Sequence, residues 1–175
     1  PTRRSSDLPR TIAFGQQWKG VFEKRSFIIT EKIPDSLSLE QNLPIDKKKF
    51  ISDLAAFVRK FHKTGYRHRD LYLCHIFCSS QGQFTLIDLH RVFKPLFFAK
   101  KYLIKDLAQL YYSSPGNSVS RTDRLRFFLV YLQKEKLTIY DKYLIKKIKA
   151  KAKRMAVHDK KHNRAAPFEI KDVSR

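Results

Sequence analysis

Residues 66–91 read YRHRDLYLCHIFCSSQGQFTLIDLHR and constrain the fold more than any other stretch. Two short apolar runs, 76–78 and 84–87, carry strand-forming residues. The link between them (Ser79, Ser80, Gln81, Gly82, Gln83) is polar and contains a glycine, so it reads as a hairpin connection. Pairing about Gln81 sets Cys74 opposite Asp88 and His75 opposite Ile87, with Asp70 on the loop that feeds the first strand. Asp70, His75 and Asp88 are therefore expected together at the open end of one hairpin, a polar cluster on an apolar scaffold.

Two carboxylates so placed suit phosphoryl transfer. One orients the attacking hydroxyl and accepts its proton; the other holds the magnesium that bridges the phosphates. His68, Arg69 and Asp70, followed later by Asp88, Leu89 and His90, resemble the protein-kinase catalytic loop H-R-D-x-x-x-x-N and its D-F-G element. There are two departures: His75 stands where the kinases have a metal-binding Asn, and Leu89 and His90 replace Phe and Gly. With both departures included, H-R-D-x-Y-x-C-H followed by I-D-L-H-R resembles the bacterial lipopolysaccharide core heptose kinases. The likeness also takes in SFIITE at 26–31 and KDLAQLY at 105–111, and covers roughly residues 10–135.

The resemblance implies an α+β, protein-kinase-like fold, mostly the helical C-terminal lobe with a remnant of the small β lobe. Residues 9–33 would be that remnant with its hinge, and 34–175 the C-lobe with a basic C-terminal helix. It implies ATP and Mg2+ as cofactors and a heptose hydroxyl of the lipopolysaccharide inner core as acceptor. Asp70 would be the catalytic base, on a loop shared with His68 and Arg69. Asp88 would bind the metal. His75 either joins it as a ligand or hydrogen-bonds Asp70 or Asp88 and holds it in place. Backbone groups of Glu31 and Ile33 would meet adenine, and Asp106 would brace the backbone near His68 and Arg69.

Parts of the kinase pattern are missing. Gly15 and Gly20 are isolated, so no Gly-rich phosphate loop is present, and no lysine in a V-A-I-K-like strand precedes the hinge. Residues 1–8, PTRRSSDL, match a reading frame of a common sequencing-adaptor oligonucleotide and read as a non-native scar. The chain is accordingly expected to be truncated at its N-terminus and inactive by itself. The link from Asp88 to the next helix is short and lacks A-P-E, which argues for a non-peptide acceptor. Within it, residues 95–101 set aromatics beside lysines, a composition suited to a lipid headgroup interface.

Helical periodicity organises the rest. Phe50, Ile51, Leu54, Phe57, Val58 and Phe61 define a helix over 44–65, capped by Asp46 and ended by Gly65. A second helix covers 102–112 with Leu103, Leu107, Leu110 and Tyr111 inward and Asp106 among them. Ser120 and Asp123 form a capping box for a third, with Leu125, Phe128, Leu129 and Leu132 on one face. Thr138 starts a fourth, apolar at Tyr140, Leu144, Ile148 and Met155 and crowded with lysines elsewhere. Residues 27–30 read as a buried strand, and 167–175 as a frayed end.

Charge narrows the partners. A net +21 and a pI near 10.1 do not fit an ordinary metabolic enzyme; they favour a phosphorylated substrate, an anionic membrane surface or nucleic acid. Two readings compete: a basic nucleic-acid-binding protein, though the basic run is not interleaved with the aromatics that single-strand binders use, and a kinase-like protein acting on another acceptor, such as a protein or another glycolipid. No apolar run approaches the ~20 residues that span a bilayer. Cys74 and Cys78 have no second pair to complete a zinc site and fit a reduced compartment. The expected setting is the cytoplasmic face of the inner membrane, with the lipopolysaccharide core and lipid A acceptor as partner.

Overall fold

The computed structural model describes residues 8–33, 35–41, 47–114, 116 and 118–164. The first element is a hairpin of β1 (Thr11–Lys19) and β2 (Phe22–Thr30), antiparallel and irregular near both ends. Gly15 pairs with Phe27, whose exposed ring lies over it and would have to swing aside for a larger residue. The strand expected at 27–30 is present but longer, and it is not buried: Phe27, Ile28 and Ile29 are all more than half exposed. Two strands cannot bury their own faces, and among the described residues neither face of this hairpin carries a covering layer.

A second sheet has the order β3-β4-β5, from β3 (Ser36–Ser38), β4 (Ile76–Ser79) and β5 (Phe84–Leu86). Ile76 pairs with Leu86, Phe77 with Thr85 and Cys78 with Phe84, the register centred on Gln81. The sequence reading did not include β3. It adds Leu37 opposite Cys78, while Leu39 N–H bonds Ile76 O at 2.9 Å beyond the strand end.

Four helices make the body: α1 (Lys47–Lys63), α2 (Ala99–Tyr112), α3 (Arg121–Leu132) and α4 (Ile139–Lys161). α1 packs on α3, and α2 on α4. The α1 stripe is Phe50, Ile51, Leu54, Phe57 and Val58, and Gly65 follows the helix at φ 88°, a conformation open to glycine at little cost. The expected cap Asp46 lies outside the described residues, as do residues 1–7 and 167–175. Ser120 and Asp123 form the expected capping box, and Thr138 with Asp141 forms a second.

Three inward positions differ from expectation. In α2 the fully buried tyrosine is Tyr112, with Tyr111 half-buried beside it. In α3 Leu125 is exposed and Tyr131 takes the interior, because α1 meets the face of Phe128 and Tyr131. In α4 Tyr140 is 82% exposed, and the inward position one residue on belongs to Asp141, held by Lys134 and the Thr138 cap. Each is a rotation of about one residue about the helix axis, which a repeat of 3.6 residues leaves open.

Candidate active site

Asp106 lies on α2, fully buried, and organises the loop that precedes β4. A buried carboxylate is costly unless hydrogen bonds surround it. Here the His68 N–H donates to Oδ2 and the Arg69 N–H to Oδ1, both at 2.8 Å. His62, on α1, donates from Nε2 to the same Oδ2 at 3.2 Å and accepts the Tyr131 hydroxyl at Nδ1, 2.8 Å away. Burial holds the His62 pKa below its usual value, so the neutral ring makes both bonds. Burial also pushes the Tyr131 hydroxyl up to about 12, which keeps it a donor. Helices α1, α2 and α3 thus converge on one carboxylate, and that carboxylate fixes the loop. Arg69 is held at φ 70°, a left-handed value uncommon for a residue other than glycine, with its guanidinium 5.3 Å over the Phe93 ring. Backbone bonds between Arg67 and Phe93, 2.9 and 3.1 Å, tie the loop to the segment beyond Asp88.

Asp70 follows, with its carboxylate at the surface of this frame. Arg91 Nη1 is 2.9 Å from Oδ2; Gln109 Nε2 donates to Oδ1 at 3.2 Å, and Lys105 Nζ is 3.9 Å from Oδ1. Gln109 also accepts the Leu71 N–H, and the Ser113 hydroxyl accepts that of Leu73, so one face of α2 satisfies successive loop amides. Burial lowers the Lys105 pKa, opposed by Asp70. His68 is fully buried; its Nε2 donates to Ile87 O at 3.0 Å, and burial holds its pKa down.

His75 links the Asp70 backbone to the Asp88 carboxylate. Its Nδ1 donates to the Asp70 carbonyl at 2.7 Å, and its Nε2 is 3.5 Å from Asp88 Oδ2. The Cys74 sulfur, then the Asp70 carbonyl and the Asp88 carboxylate, push its pKa up to about 9 against burial. Asp88 is left-handed at φ 57°, leads into a one-turn 3-10 helix (Leu89–Arg91), and takes a second contact from His90 Nδ1. His75 thus ties the Asp70 backbone to the Asp88 carboxylate at the open end of the β4–β5 hairpin. Glu31 and Ile33 lie between β2 and β3; the Glu31 N–H is already bonded to Arg10 O at 2.8 Å.

A family model described as lipopolysaccharide kinase (Kdo/WaaP) family matches residues 3–131. The chain belongs to this family. It is 30% identical over 167 residues to a lipopolysaccharide core heptose(I) kinase WaaP of Escherichia coli, covering 85% of this chain and 63% of the relative. To the protein of the same description in Pseudomonas aeruginosa it is 29% identical over 139 residues, 70% of this chain and 52% of that one. The chain thus spans between half and two thirds of the length of these curated relatives. Among solved structures it is similar to the bifunctional kinase-methyltransferase WbdD, at TM-score 0.50 and 14% identity, over 86% of this chain and 37% of that one. The fold is α+β and protein-kinase-like.

Within this family member, several polar side chains around Asp70 and Asp106 escaped the sequence reading. His62 and Tyr131 flank Asp106 from helices read only as apolar stripes. Lys105 and Gln109 are four apart on the helix that carries Asp106, and that spacing is the signal that could have placed them on one face. Arg91 closes the I-D-L-H-R motif and was given no role of its own there. As for a metal, no group of three or more His, Cys, Asp or Glu that could cage an ion occurs among the described residues. A magnesium carried by nucleotide phosphates needs only one or two carboxylates and keeps several waters, so the half-exposed Asp88 fits that mode. The Nδ1 of His75 is committed to the Asp70 carbonyl, which leaves Nε2 facing Asp88 Oδ2.

Proposed function

We propose that the Asp70–Asp88 cleft transfers the γ-phosphate of ATP to a heptose hydroxyl of the lipopolysaccharide inner core. The observation that carries this reading is His75, which bonds the Asp70 carbonyl with one ring nitrogen and faces the Asp88 carboxylate with the other, on a loop fixed by Asp106. Asp70 orients the acceptor hydroxyl and takes its proton, with Gln109 holding the carboxylate in place. Arg91 and Lys105 set positive charge beside the reacting oxygens, where phosphoryl transfer gains most from electrostatics. Asp88 would hold the Mg2+ that neutralises charge on the phosphates. His75 keeps Asp88 aligned, and backbone at Glu31 and Ile33 faces the adenine. His68 and Arg69 act through the loop they build, and Asp106 positions both. The basic surface meets a phosphate-bearing lipid acceptor at the cytoplasmic face of the inner membrane. No helix among the described residues is long and apolar enough to cross a membrane.

The assay is labelled-phosphate transfer from ATP to a heptose-bearing lipopolysaccharide acceptor. It is run on the chain and on a protein extended to the relatives' length. Asp70→Asn and Asp88→Asn should each lower turnover at least ~10²-fold. Parental turnover by Asp88→Asn would remove the metal role and with it this reading.

A further inference from the structure

The segment between the site and α2 ends in three consecutive exposed apolar side chains. Leu96 is 90% exposed, Phe97 76% and Phe98 77%. Lys94, Lys100 and Lys101, all exposed, flank them. Solvation gives no reason to hold two phenylalanines and a leucine out in water at one tip, and patches of this kind mark interaction sites. The tip is also rigidly mounted. On the site side, Phe93 is tied to Arg67 by two backbone hydrogen bonds and packs edge-on against Tyr102 with ring centroids 4.8 Å apart. On the helix side, Phe98 occupies the N-cap of α2 at φ 58°, and its carbonyl accepts the Lys101 N–H at 2.8 Å. A bulky residue in that conformation is strained, and the mount holds it there.

We propose that residues 94–101 form a wedge that inserts Leu96, Phe97 and Phe98 into the interface of an anionic lipid bilayer, with Lys94, Lys100 and Lys101 on the phosphates. An apolar tip ringed by cations on a chain of net charge +21 is complementary to such a surface in both respects. Because Phe93 joins the wedge to the loop of Asp70, insertion sets the cleft at a fixed height above the membrane, where a lipid-linked acceptor presents its sugars. The orientation toward the acceptor rests on the kinase reading; the insertion does not.

The test uses the 175-residue chain and its single tryptophan, Trp18. Trp18→Phe removes the native signal and Leu96→Trp places a new one at the tip. Vesicles containing phosphatidylglycerol should shift its emission to the blue, and brominated acyl chains should quench it; phosphatidylcholine vesicles should do neither. Leu96→Ser with Phe97→Ser should lower the vesicle partition at least about tenfold, whereas Ile139→Ser with Tyr140→Ser on α4 should change it less than about twofold. An unquenched tip on vesicle-bound chain would overturn the proposal, as would equal partition of the serine variant. A blue shift without lipid that grows with protein concentration would overturn it too, by making a second copy the occupant. Quenching at the tip with no phosphate transfer by the extended protein would uphold the wedge and defeat the kinase reading alone.

Discussion

The β1–β2 hairpin and the helical body handle apolar surface in opposite ways. The hairpin exposes Ile12, Phe14, Trp18, Phe27, Ile28 and Ile29 and buries no apolar side chain among the described residues. The body buries Leu107, Ala108, Tyr112 and Ile148 almost completely, and sinks Asp106 and His68 among them. The hairpin is held by its backbone ladder, and the body by packing plus a polar network. The His68, Arg69, Leu71 and Leu73 amides find their acceptors on α2 or its C-cap, and none of these bonds depends on the hairpin. The difference teaches where the site comes from: its geometry is a property of the helical body.

That contrast can be broken most forcefully at Asp106. Asp106→Ala strands three donors in a dry interior and should cost about 3–5 kcal/mol of stability in denaturant titration. A loss below about 1 kcal/mol would mean that the network does not hold the body. Ile148→Ala should cost about 2–4 kcal/mol through the cavity it leaves, and Ile28→Ala, on the hairpin, less than about 0.5 kcal/mol. Equal costs would erase the distinction between the two regions.

Acid sharpens the comparison more gently. His62 titrates lower folded than unfolded, so its contribution is complete above about pH 6.5 and is lost as pH falls from there through the folded value. Melting temperature should therefore decline from pH 7 toward 5, and His62→Gln should flatten that decline. Lys134 and the Thr138 cap hold the Asp141 pKa at about 2; its contribution is complete above the usual carboxylate range and is lost as pH falls from about 4 through 2. Thr138→Ala should cost about 1 kcal/mol for the lost cap.

Much of this body was legible in the sequence because local rules dictate it. A turn centred on Gln81 allowed one register for β4 and β5, and a capping box fixed the start of α3. The resemblance pointed to Asp106 as the partner of His68 and Arg69, and that is where their amides bond. What stayed hidden was non-local. The partners of Asp70 on α2 lie 35–39 residues away in the chain, and those of His62 lie 44 and 69 away, beyond the reach of any periodic pattern. β1 escaped because Gly15, Gln16 and Gln17 interrupt its alternation, and β3 because three residues carry too little pattern to stand out. The exposed Leu125 and Tyr140 show the same limit on helices: an apolar residue at the edge of a stripe does not say which neighbour will arrive to cover it.

Amide hydrogen exchange tests the central claim most directly, because the two N–H groups that bond Asp106 report on the site itself. The His68 and Arg69 amides should exchange only through global opening, within about tenfold of the α2 core amides, while the β1–β2 amides should exchange at least about 10³-fold faster. If His68 and Arg69 exchange as fast as the hairpin, the helical body does not hold the site, and the geometry assigned to Asp70 and Asp88 has no foundation.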